Sequence, residues 1–513
     1  MKAFLMFRDR DFDLKQPLPP NADALVQDLE LETLFGAMAG GDRLIHDVSK
    51  VAVLSGVRGA AEEIAYRQHV MTDALHRPAV LRDIYKLAGE AIDREKKAYF
   101  GLFRDSPETL LNRSIEVMTM FVEVLRKLRQ IAEQAEPDFR SHGFRTVFAM
   151  LRRELSEDYF KEVSAHLKQL KFPDSVCVSA RLGAGNKGVD YTLRQLPADD
   201  RFCPLRFFPR GLGGYTLYIH PRDEAGGQAV SALRNRGLAL AARALGQSVD
   251  HILSFFHMLR TEVAFYIGGV NLQERLSTLG LTTVVPILAG LNERRFACCG
   301  LYDVCLAISM NKAVVGNDVD GNDKNLVVIT GANQGGKSTF LRSVGLAQVM
   351  MQSGLFVGAE AFGANIVCGV FTHYKREEDT SMTSGKFDEE LSRMNALADM
   401  LHPRALILFN ESFASTNERE GSEIARQIVT ALLDSGLKAF FVTHLYPFAR
   451  AMDETNLESA LFLRAERRED GSRTFKLIEG KPLETSFGED LYKKIFRSMS
   501  ALNKAPLRTP AIA

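Results

Sequence analysis

Between Asp23 and Leu75 the apolar residues Leu25, Leu29, Leu34, Ile45, Val48, Ile64 and Val70 recur at helical intervals, broken at Gly40-Gly41 and Gly59. Ahead of them a short strand is expected at Ala3 to Phe7, and Pro17, Pro19 and Pro20 mark a loop. Ser106-Pro107 reads as an N-cap followed by a first-turn proline. The stripe Leu111, Ile115, Met118, Val122, Leu125 and Leu128 predicts a long helix after it. A second long helix is expected from about Phe144, with Val147, Leu151, Leu155, Phe160, Val163, Leu167 and Leu170 on its apolar side. Such stripes are packing surfaces.

From Phe172 to Arg222 the period changes. Ser175-Val176-Cys177-Val178-Ser179, Val189-Asp190-Tyr191-Thr192-Leu193 and Tyr215-Thr216-Leu217-Tyr218-Ile219 predict short strands between turns. Helical spacing returns between Gly227 and about Gly280, with Ile252, Phe255, Phe256, Leu259 and Val263. The pattern is that of two long helices leaving a base, a small β-tip, and a long helix returning. Pro286 and Gly290 mark a boundary, beyond which strands and helices alternate in α/β fashion. The expected architecture is therefore multidomain: a largely α-helical core and lever over 1–284, with a β-containing tip inserted at 172–222, then an α/β domain over 285–513.

The α/β part carries the chemistry. The apolar run Leu326-Val327-Val328-Ile329-Thr330 leads into Gly331-Ala332-Asn333-Gln334-Gly335-Gly336-Lys337-Ser338, and a helical pattern follows from Thr339 to Met351. This is the form of a phosphate-binding loop: glycines let backbone N–H groups turn inward, the helix directs its positive end at the phosphates, Lys337 reaches the terminal phosphates, and Ser338 can ligate magnesium. The continuous apolar run Ala405 to Phe409 reads as a buried central strand delivering Asn410 and Glu411 to the nucleotide. Glu411 is the carboxylate expected to orient or deprotonate the attacking water, and Asn410 stands where an aspartate usually holds magnesium. Phe440-Phe441-Val442-Thr443 delivers His444 in the same way, as a sensor of the γ-phosphate. ATP and Mg2+ are the expected ligands, with residues Gly331 to Thr339 holding the nucleotide and Ser338 and Asn410 on the magnesium side.

Charge and cysteine usage narrow the setting. The 513 residues, long enough for about three domains, carry 64 Lys plus Arg against 64 Asp plus Glu. Any nucleic-acid surface must therefore be a local patch. One candidate is the tip, where Arg181, Lys187, Arg194, Arg201, Arg206 and Arg210 interleave with Phe202, Phe207 and Phe208. Basic and aromatic side chains together can hold phosphates and stack on bases; a solvated loop with a few core phenylalanines reads equally well. The six cysteines show neither C-x-x-C spacing nor histidine partners at metal-ligand spacing, which points to a reducing cytoplasm rather than a disulfide framework. Met1 to Phe7 is cut short by Arg8-Asp9-Arg10, too early for a signal peptide, and no stretch reaches membrane-spanning length.

The order of motifs resembles the MutS family of DNA mismatch repair ATPases, a branch of the ABC-type ATPases. Thr330 to Thr339 departs from the family's T-G-P-N-M-G-G-K-S-T only at Ala332 and Gln334. Asn410 to Gly421 matches its D-E-x-G-R-G-T-S-T-x-D-G at Glu411, Thr416 and Gly421. Val442-Thr443-His444 resembles its A-T-H, Asn317-Asp318 its N-D, and Ser486-Phe487-Gly488 its late S-Y-G. Upstream, Ile64, Arg67 and Val70 resemble its I-x-x-R-x-x-V. The resemblance implies an ATP hydrolase that dimerises through its nucleotide domains and embraces DNA, double-stranded or branched. Each site would be completed by the partner's signature segment, here Ser384-Gly385-Lys386, while Arg201, Arg206 and Arg210 meet DNA. Against the family pattern, no mismatch-reading or connector domain precedes the core, and Asn410 removes a formal charge beside magnesium, which implies slow hydrolysis. Two rivals stand beside a mismatch-repair clamp: a DNA-structure or recombination-linked ATPase without mismatch preference, and an ATP-driven scaffold for protein partners.

Overall fold

The computed structural model describes residues 1–98, 106–172, 176–194, 218–376, 385–468 and 471–484. Arg201, Arg206 and Arg210, the phenylalanines between them, most of the strand expected at 215–219, Ser384, and Ser486-Phe487-Gly488 lie outside the described residues. Helices come first: α1 (Ala22–Asp28), α2 (Leu31–Ala39), α3 (Arg43–Gly56), α4 (Ala61–His76), α5 (Pro78–Ala98), α6 (Pro107–Ala135), α7 (His142–Glu154) and α8 (Glu157–Gln169). A hairpin of β1 (Cys177–Leu182) and β2 (Gly188–Arg194) follows, then the 55-residue helix α9 (Glu224–Thr278). The remaining chain alternates as β3 (Ile287–Ala289), β4 (Phe296–Leu301), α10 (Val304–Met310), β5 (Asn317–Asp320), β6 (Leu326–Gly331), α11 (Lys337–Ser353), β7 (Ala361–Asn365), β8 (Val370–Tyr374), α12 (Lys386–Ala398), β9 (Leu406–Asn410), α13 (Glu418–Asp434), β10 (Lys438–Val442), α14 (Tyr446–Glu454), β11 (Ala460–Arg467) and β12 (Arg473–Glu479). Among the described residues no helix is long and apolar enough to cross a membrane. Cys177, Cys298, Cys299, Cys305 and Cys368 are unpaired thiols.

Two units divide these elements. The first is built from Met1–Ala3, Ala79–Phe139 and Phe144–Arg260. Its long helix α6 starts as the sequence requires, with Ser106 Oγ accepting from the Thr109 N–H at 3.1 Å and proline in the first turn. The single helix expected over about 144–170 is instead two. Ser156 caps α8 by accepting from the Tyr159 N–H at 3.1 Å, and Glu157 and Asp158 occupy the first turn, where the helix dipole favours acids. That local cap ends α7 even though the apolar stripe runs on through Leu155.

The second unit joins Phe4–Pro78 and Arg140–Gly143 to the chain from Thr261 onward. The strand expected at Ala3 to Phe7 is absent. Side chains satisfy that segment's backbone instead: Leu5 and Met6 N–H donate to the Glu262 carboxylate, Tyr66 Oη donates to the Phe4 carbonyl, and Tyr266 Oη donates to that of Leu5. Two sheets organise this unit. One runs β3-β7-β4-β5; the other runs β12-β11-β6-β10-β9-β8, parallel except for β12. In the six-stranded sheet β6, β9 and β10 are apolar almost throughout because both faces are covered. Helix α11 is buried along nearly its whole length. At its far end Gln352 Nε2 donates to the Val57 carbonyl, and Arg67 Nη2 donates to the Gln352 carbonyl at 3.1 Å. The amino-terminal helices thus grip the helix that begins at Lys337.

Candidate functional site

Chain order and sheet order diverge at β6, which has β10 on one side and β11 on the other. Such a switch opens a crevice at the carboxyl ends of parallel strands. The loop from Gly331 to Gly336 lies there. Gly331, Gln334 and Gly336 take positive φ values of 106°, 58° and 91°, a change of handedness of the kind that can turn successive N–H groups toward an anion, and the Gly335 N–H closes the loop on the Ala332 carbonyl at 3.2 Å. Two glycines are also dictated by space. A Cβ at Gly331 would sit 2.8 Å from the Ala465 nitrogen, and one at Gly335 would lie 2.6 Å from Ala465 Cβ and 2.8 Å from the Ala332 oxygen.

Lys337 folds back over this loop, its Nζ donating to the carbonyls of Gly331 and Ala332 at 3.1 Å each. Burial pulls its pKa below the ordinary lysine value, and the negative charge of Glu411 opposes that shift. Ser338 Oγ donates to Asn410 Oδ1 at 2.8 Å, joining the loop to the end of β9. Val442 pairs with Asn410 on one side and Ile329 on the other, so β6, β9 and β10 finish level. Just beyond them, the Glu411 N–H donates to the Val442 carbonyl and the Thr443 N–H to that of Ile329. Leu445 N–H donates to Thr443 Oγ1 at 2.9 Å, closing the turn that exposes His444.

These residues border one cleft of about 790 Å³, lined by Thr330, Gly331, Asn333 to Thr339, Glu411, Thr416 and His444, among others. Ala332 is fully buried and shapes the loop from behind, and Asn410 is reached through Ser338. Gly385 and Lys386, at the start of α12, are not among the lining residues. Asn317-Asp318 is not among the lining residues either, and ties neighbouring backbone together. Asn317 Oδ1 accepts from the Leu477 N–H at 2.7 Å, and Asp318 accepts from the Gly300 N–H at 2.7 Å. Among the described residues no cluster of three or more His, Cys, Asp or Glu could hold a metal unaided.

Sequence reasoning missed a second cavity on the other side of the loop, about 480 Å³. It shares Gln334, Gly336 and Thr339 with the cleft and is walled by Tyr302, Val315 and Phe475. Phe475 is half exposed at a φ of 61°, and its β-hairpin also sends Arg473 Nε to the Asn333 carbonyl at 3.3 Å. Apolar Val314-Val315 ahead of Asn317 is the one sequence hint of this wall.

Comparison with known proteins gives two family matches: the MutS2 N-terminal domain over residues 59–279 and MutS domain V over residues 327–507. Endonuclease MutS2 of Thermus thermophilus is 32% identical over 369 residues, 70% of this chain and 44% of that protein. Endonuclease MutS2 of Lacticaseibacillus paracasei is 31% identical over 245 residues, 46% of this chain and 30% of its own length. The DNA mismatch repair protein MutS of Chloroflexus aurantiacus is 34% identical over 143 residues, 27% of this chain and 15% of that protein. The chain spans less than half the length of each of these relatives.

Proposed function

Because the chain belongs to the MutS family, we propose that it hydrolyses ATP in the cleft between the β6–α11 loop and Glu411, and that nucleotide state governs its hold on double-stranded or branched DNA as a dimer of two such chains. The observation that carries this reading is the meeting of Lys337, Ser338, Glu411 and His444 on one cleft at the ends of three parallel strands. In it the loop amides and the amino end of α11 receive the phosphates. The Lys337 ammonium answers their charge, which restores the proton affinity that burial takes away. Magnesium, when bound, neutralises charge on the β- and γ-phosphates. The Ser338 hydroxyl would hold it, with Asn410 orienting that hydroxyl from behind. Glu411 accepts a proton from the attacking water, and His444 meets the γ-phosphate. The Phe475 cavity takes the nucleotide base, since an exposed ring beside a phosphate loop offers a stacking face.

Nucleotide binding and turnover, each measured with and without branched duplex DNA, test the proposal. Lys337→Ala weakens ATP binding by about a hundredfold or more, the worth of lost charge-assisted hydrogen bonds to phosphate. Glu411→Gln keeps ATP binding but loses turnover by about a hundredfold or more, because an amide cannot take the proton. Unchanged affinity in the first variant, or unchanged turnover in the second, rejects the site; turnover indifferent to DNA rejects the DNA reading.

A further inference from the structure

Glu411 and Phe413 are both non-glycine residues in the left-handed region, at φ of 53° and 63°, with one residue between them. Two such residues in a four-residue turn persist only where the surroundings over-determine them. Two elements do so here. From α12, the carboxylate of Glu390 accepts the Phe413 N–H at 2.5 Å. From β8, the His373 ring stacks on Phe413 with centroids 5.4 Å apart and planes 19° from parallel. Ser412 Oγ donates to the His373 carbonyl at 2.6 Å, and His373 Nδ1 lies 2.8 Å from Ser412 Oγ. Glu390 and His373 are each only 2% exposed, and Ser412 and Phe413 are wholly buried. None of the four lines the cleft, yet all bear on the turn from which Glu411 reaches it.

We propose that Glu390, His373 and Ser412 form a positioning clamp that fixes the Glu411 carboxylate for water activation, and that Glu390 makes this position depend on where helix α12 lies. The inference rests on Glu411 being the base. Glu390 stands one turn after Lys386, the first residue of α12. A shift of that helix carries Glu390 with it, releases the Phe413 N–H, and lets the turn relax out of its left-handed conformation. Glu411 then leaves the position from which it can take a proton from water. ATP contacts made by the β6–α11 loop are untouched by such a change, so the clamp acts on the rate and not on the affinity.

The test measures kcat, KM for ATP and thermal unfolding on Glu390→Leu, Glu390→Gln, Ser412→Ala, Glu411→Gln and the double variant Glu390→Leu/Glu411→Gln. A clamp predicts that Glu390→Leu lowers kcat about tenfold or more with KM within about threefold, since only the orientation of a transition-state group is lost. Glu390→Gln, whose amide oxygen can still accept from Phe413, stays within about threefold of the parent. Ser412→Ala lowers kcat in the same direction, and adding Glu390→Leu to Glu411→Gln causes no further loss. Unchanged kcat in Glu390→Leu, beside a dead Glu411→Gln, overturns the clamp while leaving the base in place. If Glu390→Leu does not fold, unchanged kcat in Ser412→Ala overturns it equally. Normal turnover in Glu411→Gln removes the base, and the clamp with it.

Discussion

Glu262 has no exposed surface, yet it is the residue to which the start of the chain is fastened. Its two oxygens accept from the N–H groups of Leu5 at 2.5 Å, Phe12 at 2.9 Å and Met6 at 3.4 Å. Burial dominates its titration and raises its pKa from an ordinary 4.5 to about 7; the backbone donors pull the other way and do not win. The folded chain therefore keeps a proton that the unfolded chain has released between those values. With more protons on the folded form, this group's contribution to stability falls as pH rises from about 4.5 to about 7, by on the order of 3 kcal/mol in all. Glu262→Gln does not titrate, and it turns one NH2 donor toward a backbone N–H. The variant should be less stable than the parent at pH 5, and the gap should close toward pH 8. Urea unfolding of both proteins across that range checks this, and a gap that widens with pH contradicts it.

At the scale of elements, helix α13 has to start against the turn that carries Glu411, and Gly421 in its first turn permits this. The Gly421 N–H donates to the Asn417 carbonyl at 2.9 Å, and a Cβ at Gly421 would stand 2.2 Å from the Phe413 carbonyl oxygen, a backbone atom that cannot swing aside. Gly421→Ala should cost about 2 kcal/mol of stability through overpacking and lower turnover more than ATP affinity, measurable by thermal unfolding beside steady-state kinetics. The glycine was visible in the sequence as part of a motif; the oxygen it avoids was not. The same division holds elsewhere. Strands β6, β9 and β10 were legible because burial on both faces writes an unbroken apolar run, and α6 because its cap is local. The break between α7 and α8 was written in Ser156-Glu157-Asp158, but the apolar stripe across it is the louder pattern. Loop glycines, Glu411 and His444 could be placed at strand ends because strand, turn and polar residue are neighbours in sequence. His373, Glu390 and Phe475 could not, since each takes its meaning from a partner tens of residues away or more. Phe413 gave one clue: it stands where the resembled motif has glycine, and the left-handed φ explains why glycine suits that place.

At the scale of the whole molecule, equal numbers of acidic and basic residues leave no global field to draw DNA in, so the hold on DNA proposed above would rest on local contacts and on how chains associate around nucleotide. Within one chain the cleft is bordered by the loop, Glu411 and His444, while Gly385 and Lys386 belong to a helix start outside that border. If the start of α12 acts on ATP, it acts on the ATP of a second copy, and each site needs two chains. An isologous dimer then holds two such sites, each made of one chain's loop and the other's α12. Lys337→Ala alone and Lys386→Ala alone should both be inactive, because every site in either pure dimer carries one defect. Mixing them changes the count. In a mixed dimer one site takes both defects and the other takes neither. Equal amounts pairing at random make about half the dimers mixed, so about a quarter of the parent turnover should return. Recovery should require subunit exchange, appearing after co-incubation or co-expression and not in freshly combined, stably paired stocks. Two folded, dimeric variants that exchange subunits and still recover nothing would mean that each cleft works within its own chain, and the route from partner to Lys386, Glu390 and Glu411 would lose its first step.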